Sequence, residues 1–141
     1  MGLDAVVYRK RAHLQLGHDE ERAKVIPETG EVYFEDDKLA RKYDHQREAV
    51  AHRLGNAALI GTVNDEVSQL IGPESFLARK ILYSGTHSGD VIPLSDLAEL
   101  SAELDSIRKT GKGSPYLLDF LSAFEELIQA AKEERNPIVF V

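Results

Sequence analysis

Residues 114–141 read SPYLLDFLSAFEELIQAAKEERNPIVFV, and this stretch decides the fold class. Ser114 followed by Pro115 predicts a helix start, because serine caps free backbone N–H groups and proline suits the first helical position. A full stripe of apolar side chains at helical spacing follows, which indicates a deeply buried helix. Asn136-Pro137 ends this helix, and the apolar residues 138–141 predict a final strand inside a sheet, beside the first strand.

The segments upstream predict short strands first. Residues 3–8 are rich in β-prone side chains and predict the first strand, and the alternation of apolar residues over 12–16 predicts a second strand or an extended arm. Two β-prone runs within 24–34 flank Pro27-Glu-Thr-Gly30. This pattern predicts a hairpin, in which Gly30 supplies the positive φ of the turn.

Helical periodicity dominates between residues 37 and 134. Asp36 or Asp37 is predicted to cap the N-terminus of the first helix, and Gly55 is predicted to end that helix. Asn56 and Ser95 are predicted to cap the N-termini of two later helices. The predicted helices cover 37–54, 57–71 with a break near residue 64, 95–109 and 115–134, and the run 73–83 fits either a helix or a strand. The order predicts one α+β domain over residues 1–141, in which a small, mostly antiparallel sheet (N-terminal strands, hairpin and C-terminal strand) packs against four to five helices.

Composition limits the function classes. The 141 residues include no cysteine, which excludes disulfides, thiolate metal sites and a cysteine nucleophile. The net charge of −7 argues against a general nucleic-acid binder and permits a basic protein partner, although many proteins are acidic merely for solubility. The N-terminus lacks the order of a signal peptide, and no apolar run approaches the length of a membrane span. We therefore expect a cytoplasmic protein without a membrane contact and without a cofactor.

The stretch YSGTHSGD, residues 83–90, is the main candidate for a site. Its candidate ligand- or partner-binding residues are Ser84, Thr86, His87, Ser88 and Asp90. One interpretation is a polar turn whose side chains satisfy local backbone groups. A second is contact with a ligand or partner, helped by glycines that let backbone N–H groups converge. Catalysis through His87 would need a partner from a separate segment, such as Glu31, Tyr33 or His52, because residues so close in sequence rarely form a triad.

Other polar groups are weaker candidates. His45, Glu48 and His52 fall on one face of the predicted helix 37–54, but the two histidines are seven residues apart, too far to share one ion. The remaining candidates are the pair His13 and His18, and the glycine-rich run 110–114. Each of these sets is better interpreted as solvated structure than as a metal or phosphate site, so no catalytic residue and no metal ligand is assigned. Acidic stretches at 19–21, 35–37 and 133–134 could jointly face a basic partner.

Four short strings carry a resemblance: MGLDAVVY, TGEVYF, RLGN and NPIVFV. Together they resemble small bacterial domains of uncharacterised type, some of which are similar to the immunity proteins that neutralise toxins of interbacterial competition. The resemblance implies a cytoplasmic protein without catalysis that binds one toxin domain tightly, and it transfers no site residue.

Two functions of different classes follow. The first is a non-catalytic cytoplasmic binding protein of immunity type that occludes a protein partner, as a monomer or a homodimer. The alternative is a small enzyme or small-ligand-binding domain that uses the Ser84–Asp90 loop with His87. The side chain of His87 separates them, because the alternative requires it to face a concave pocket.

Overall fold

A computed structural model describes residues 2–141 and confirms the α+β class. The strands are β1 (Gly2–Tyr8), β2 (Lys24–Val25), β3 (Val32–Tyr33), β4 (Glu48–Asn56), β5 (Val91–Ile92) and β6 (Ile138–Phe140). The α-helices are α1 (Asp37–Tyr43), α2 (Ala57–Ile71), α3 (Leu97–Lys109) and α4 (Pro115–Glu134), with a π-helical turn at Leu77–Ile81. The main sheet has four antiparallel strands in the order β4-β1-β6-β5.

Helix α4 forms as predicted. The Ser114 hydroxyl oxygen accepts a hydrogen bond from the Leu117 N–H at 3.2 Å, and Pro115 takes the first helical position. Nine residues of α4 are buried, more than in any other helix of residues 2–141. Arg135 ends the helix in the left-handed conformation, and β6 then pairs with β1, with Val6 opposite Val139. The prediction of a last strand beside the first is confirmed.

The two faces of β1 bury different clusters, because successive side chains of a strand point to opposite faces. Leu3, Ala5 and Val7 join the main core, which also takes in the buried faces of α2, α3 and α4. Val6 and Tyr8 lie on the other face and form a small buried cluster with Val139. The sheet is therefore buried on both faces at its centre.

The predicted hairpin is confirmed as β2 paired with β3, but it forms a separate two-stranded sheet. Gly30 has the positive φ expected of the turn, at +77°. A Cβ at this position would lie 2.1 Å from the Asn136 side chain, which itself donates a hydrogen bond to the Tyr8 carbonyl. Only glycine fits both the conformation and the space.

The predicted helix over 37–54 is wrong in its second half. Asp36 does cap α1, because its carboxylate accepts hydrogen bonds from the N–H groups of Lys38 and Leu39, but α1 ends at Tyr43. Residues 48–56 form the strand β4, and Gly55 lies inside it instead of ending a helix. Pairing along the whole of β1 satisfies backbone groups that an adjacent helix would leave open, so tertiary context overrides the helical spacing.

Several smaller predictions are corrected by the same structure. Residues 12–16 form no strand, and residues 11–13 make a 3₁₀ turn. Helix α2 runs without a break at Asn64, after a cap by Asn56 as predicted. Ser95 does not cap α3, because a 3₁₀ turn at Leu94–Asp96 precedes that helix. Residues 73–83, which fitted either a helix or a strand, contain the π-helical turn at Leu77–Ile81. Strand β5 was not predicted from the sequence.

No helix within residues 2–141 has both the length and the apolar character needed to cross a bilayer.

Candidate binding cleft

The 83–90 loop connects the π-helical turn to β5, so it lies at one end of the main sheet. Gly85 lets the loop pass close to α2, because a Cβ there would lie 2.6 Å from the Ala57 Cα. Gly89 takes a positive φ of +95°, and its N–H donates to the Phe140 carbonyl at 2.7 Å. Glycine is therefore needed at both positions to tie the loop to its neighbours.

His87 is packed into the wall of the protein. Its side chain is 5% exposed and lies between the ring of Tyr83, with centroids 4.8 Å apart, and the ring of Phe140, at 4.4 Å. Its Nε2 lies 2.7 Å from the Ile81 carbonyl oxygen. A carbonyl can only accept, so Nε2 carries a proton and donates it to the end of the π-helical turn. The imidazole thus anchors the loop to the helix before it and to the sheet beside it.

The second nitrogen of His87 approaches Asp90. Nδ1 lies 3.1 Å from the Asp90 Oδ2 atom, but the alignment does not make a hydrogen bond, and Nδ1 is buried without another partner in the described chain. The same Oδ2 accepts the hydroxyl proton of Tyr83 at 2.6 Å. This hydrogen bond raises the pKa of Tyr83, with burial and the negative charge of Asp90 acting in the same direction. Tyr83, Asp90 and His87 therefore form one connected set.

The remaining predicted loop residues do not converge on a common point. Ser84 accepts a hydrogen bond from the Thr86 N–H at 3.2 Å, which is a local turn contact. Across residues 2–141, the hydroxyls of Thr86 and Ser88 have no hydrogen-bond partner, and both residues are exposed. The second-segment partners considered for His87 lie elsewhere: Glu31 pairs with Arg47 and His52 with Glu126.

A cleft of about 550 Å³ opens beside this loop. Buried side chains of Phe76, Ile92 and Phe140 form its apolar part. Tyr83 and Val91 line its mouth and are 53% and 40% exposed. His87 is not among the residues that line the cleft, because the Tyr83 ring stacks on it. The site is therefore a cleft with an apolar part and a rim that includes Tyr83 and Val91, and the imidazole supports it from the protein side.

Charged side chains of both signs flank the cleft. Arg79 and Lys80 line it from the π-helical turn and take part in none of the ion pairs found within residues 2–141. Asp96 lines it from the start of α3, where the positive end of the helix dipole favours a carboxylate. Because Asp90 is engaged by Tyr83, Arg79, Lys80 and Asp96 are the charged side chains of the cleft that form no ion pair within residues 2–141.

Sequence reasoning missed the seven cleft residues outside the 83–90 stretch, namely Phe76, Arg79, Lys80, Val91, Ile92, Asp96 and Phe140. One signal was present: Val91 and Ile92 are β-branched and stand between Asp90 and Pro93, a pattern typical of a short strand. No local pattern links Phe76 or Asp96 to the loop, because the tertiary fold brings those segments together.

The weaker candidates lie apart from the cleft. The set His45, Glu48 and His52 is dispersed, because residues 48–56 form a strand and His52 Nε2 lies 2.6 Å from a Glu126 carboxylate oxygen. No cluster of potential metal ligands occurs within residues 2–141. The acidic stretches are largely used locally, since Asp19 accepts from Tyr43, Glu35 pairs with Lys24 and Glu134 is buried.

Comparison of the chain with protein-family models, with curated proteins and with solved structures finds no match.

Proposed function

We propose that the protein is a non-catalytic binding protein, which occludes a segment of a protein partner at the cleft beside residues 83–92. The single observation that carries the proposal is the division of roles around the loop. His87, the group with acid–base chemistry, is packed behind the cleft, while its mouth includes the exposed side chains of Tyr83 and Val91 beside charged groups. Exposed apolar side chains around a cleft are typical of recognition surfaces.

The surroundings of the cleft support a protein as the occupant. Tyr83 and Val91, which line the cleft, are 53% and 40% exposed, so a partner segment can reach an aromatic and an aliphatic side chain there. Aromatic side chains at such positions supply much of the energy of protein interfaces. The unpaired cations Arg79 and Lys80 favour a segment that carries an acidic side chain.

The cellular setting belongs to the same proposal. An immunity-type protein of the bacterial cytoplasm would have these properties: a chain without cysteine, no catalytic residue and one tight protein partner. The net charge of −7 supports a partner with a basic surface over a nucleic acid, because it attracts basic proteins at long range and repels phosphate. The cleft then selects a local segment of that partner.

Two matched valines provide the test. Val91 lies at the cleft and Val25 lies on β2, in the other sheet; both belong to two-residue strands, and their exposures are 40% and 42%. A photo-crosslinking residue is placed at each position in turn and irradiated in the source organism. We expect the variant at position 91 to capture one dominant protein and the variant at position 25 not to capture it.

The captured protein then allows a quantitative test. We expect Val91→Asp to weaken its binding at least about 10-fold, because a charged side chain would replace an apolar contact at a buried interface position and would have to lose its water. Val25→Asp should leave the affinity unchanged. Equal affinities for the two variants, or the absence of any species specific to position 91, would contradict the proposed function.

The second candidate is a small-ligand-binding domain, and one observation favours it. The Tyr83 hydroxyl, the Asp90 carboxylate and the buried His87 Nδ1 form a connected set that ends in the cleft. A polar ligand that displaced the Tyr83 hydroxyl would gain the Asp90 carboxylate as an acceptor. This candidate predicts that Tyr83→Phe changes small-molecule binding in a thermal-shift screen, whereas a protein partner that contacts the ring face should tolerate the change.

A further inference from the structure

Strand β4 is the long open edge of the main sheet. It has nine residues and pairs only with β1, whereas the opposite edge strand β5 has two residues and is followed directly by Pro93. Very short strands and proline are devices that protect an edge from pairing with another chain. The two edges of this sheet therefore differ: β4 is long and has no proline, and two register shifts in its pairing with β1 leave residues 50–53 as its regular part.

The direction of the backbone groups follows from the hydrogen bonds at the two sides of β1. The Arg9 N–H donates to the Arg47 carbonyl on the β4 side, and the Val141 N–H donates to the Asp4 carbonyl on the β6 side. Because backbone groups alternate along an antiparallel strand, the odd-numbered residues of β1 face β4. Their hydrogen-bonded partners are Val50 and His52, the residues opposite Val7 and Ala5.

Ala51 and Arg53 then point their N–H and C=O groups away from β1. Because β4 pairs only with β1, this direction leaves the four groups without a ladder partner, and no loop, turn or side chain within residues 2–141 bonds to them. The Ala51 side chain is exposed, and the Arg53 side chain is 55% exposed beside Asp4. The edge thus presents two alternate residues, Ala51 and Arg53, whose backbone groups are free to form a ladder.

We propose that a second copy of this chain pairs with β4 in antiparallel orientation, about a two-fold axis through His52, and forms a continuous eight-stranded sheet. In this register Ala51 faces Arg53 of the second copy, and Arg53 faces Ala51. All four free backbone groups of each copy are used, and no two like charges oppose each other on that face. The strand is self-complementary, as an interface between identical subunits requires.

The surface beside this edge also suits a second copy. Tyr116 of α4 is 59% exposed, the largest value among the exposed large apolar side chains. Tyr116 lines a groove of about 210 Å³ together with Arg53, Leu54 and Gly55, so it lies next to the open edge. A sheet continued across β4 would cover this groove. The dimer uses the end of the sheet opposite the 83–92 cleft, so it does not rest on the proposed function.

Charge substitutions at Ala51 test the register. In the dimer, Ala51→Glu would place a glutamate opposite Arg53 of the other copy at two symmetry-related positions. Ala51→Arg would place an arginine at the same two positions, where the like charges repel. We expect sedimentation velocity to show a concentration-dependent dimer between about 1 µM and 1 mM. The dissociation constant should fall for Ala51→Glu and rise for Ala51→Arg, each by about 2- to 30-fold. Val25→Glu and Val25→Arg should leave it unchanged.

A covalent test uses the absence of cysteine in the chain. His52 of both copies would form a non-hydrogen-bonded pair with Cα atoms about 4.5 Å apart, which a disulfide can span. We expect His52→Cys to give a disulfide-linked dimer under oxidising conditions and Val25→Cys to remain monomeric. A wild-type chain that stays monomeric throughout the concentration range would overturn the proposal. So would Glu and Arg at position 51 acting in the same direction, or equal crosslinking of the two cysteine variants.

Discussion

A glutamate of α3 holds the beginning of the π-helical turn, and its removal is a direct test of how the cleft is built. The Glu103 carboxylate accepts hydrogen bonds from the N–H groups of Phe76 and Leu77, at 2.7 Å and 2.9 Å. Both donors belong to the first turn of a short helical segment, where backbone N–H groups lack partners within the helix. The contact crosses 26 and 27 residues of sequence, so it is a tertiary cap.

The magnitude follows from the two bonds. A hydrogen bond to a charged group contributes about 1.5–3 kcal/mol, and water can reach part of this site, which reduces the loss. We expect Glu103→Ala to lower the free energy of unfolding by about 2–4 kcal/mol. Glu103→Gln keeps one acceptor oxygen but turns an amide N–H₂ toward the second donor, so we expect a loss of about 1–2 kcal/mol.

Urea unfolding at pH 7, followed by far-ultraviolet circular dichroism, measures both variants. Glu99→Ala is the matched control, because Glu99 lies one turn earlier on α3, is exposed and accepts no hydrogen bond from a residue in the 2–141 range. We expect this control to change stability by less than about 0.5 kcal/mol. Amide exchange of Phe76 and Leu77 should also accelerate in Glu103→Ala. The reasoning is refuted if Glu103→Ala and Glu99→Ala have equal stability, or if both amides keep their protection.

Three further predictions concern other contacts. His87→Ala should lower the free energy of unfolding by about 2–4 kcal/mol in a urea titration. The change leaves a space between the rings of Tyr83 and Phe140, and it leaves the Ile81 carbonyl without its donor. An unchanged stability would contradict the structural role of the imidazole. Asp19→Asn should lower the urea midpoint at pH 7, and the difference from wild type should disappear in acid. The hydroxyl of Tyr43, followed by Lys42, lowers the pKa of Asp19, so this stabilisation exists above the usual carboxyl pKa and is lost as the pH falls through the lowered value. Tyr83→Phe should cost stability at neutral pH, and the difference should vanish as the pH rises through the raised pKa of Tyr83, as tested by urea midpoints at pH 7 and above pH 10.

The ends of the chain were predictable because their signals are local. Serine before proline, an unbroken apolar stripe and a terminal apolar run specify α4 and β6 without reference to the rest of the chain. Strand β4 was not predictable in the same way. Val50 and Leu54 fit a helical stripe that starts at Leu39, yet Val50, His52 and Leu54 also alternate with Ala51 and Arg53. Both periods were present, and pairing with β1 selected the second.

The candidate site shows the same division between local and tertiary information. The loop was identified from its composition, and the local contacts of Ser84 with Thr86 and of Tyr83 with Asp90 connect residues within it. The position of His87 depends on Phe140, which is more than 50 residues away in sequence. No pattern within eight residues can reveal whether an imidazole faces a cleft or a packed ring, so the sequence could nominate His87 but could not assign its role.

Three glutamates, one on each of α2, α3 and α4, hold segments between the helices in place by hydrogen bonds. Glu66 of α2 accepts from the N–H and the hydroxyl of Ser114, Glu103 of α3 accepts from the π-helical turn, and Glu134 of α4 accepts from the Lys10 N–H. In each case the carboxylate of one helix accepts from a backbone N–H at the start of another helical segment, where such groups lack partners within that segment. From sequence these residues are indistinguishable from surface charge, and the net charge of −7 encourages that interpretation. These three acidic groups keep their charge when they accept hydrogen bonds from neutral groups, but the fold fixes their positions and uses them as structural acceptors. The case for recognition at the cleft therefore rests on its own side chains, where exposed Tyr83 and Val91 lie together with two unpaired cations.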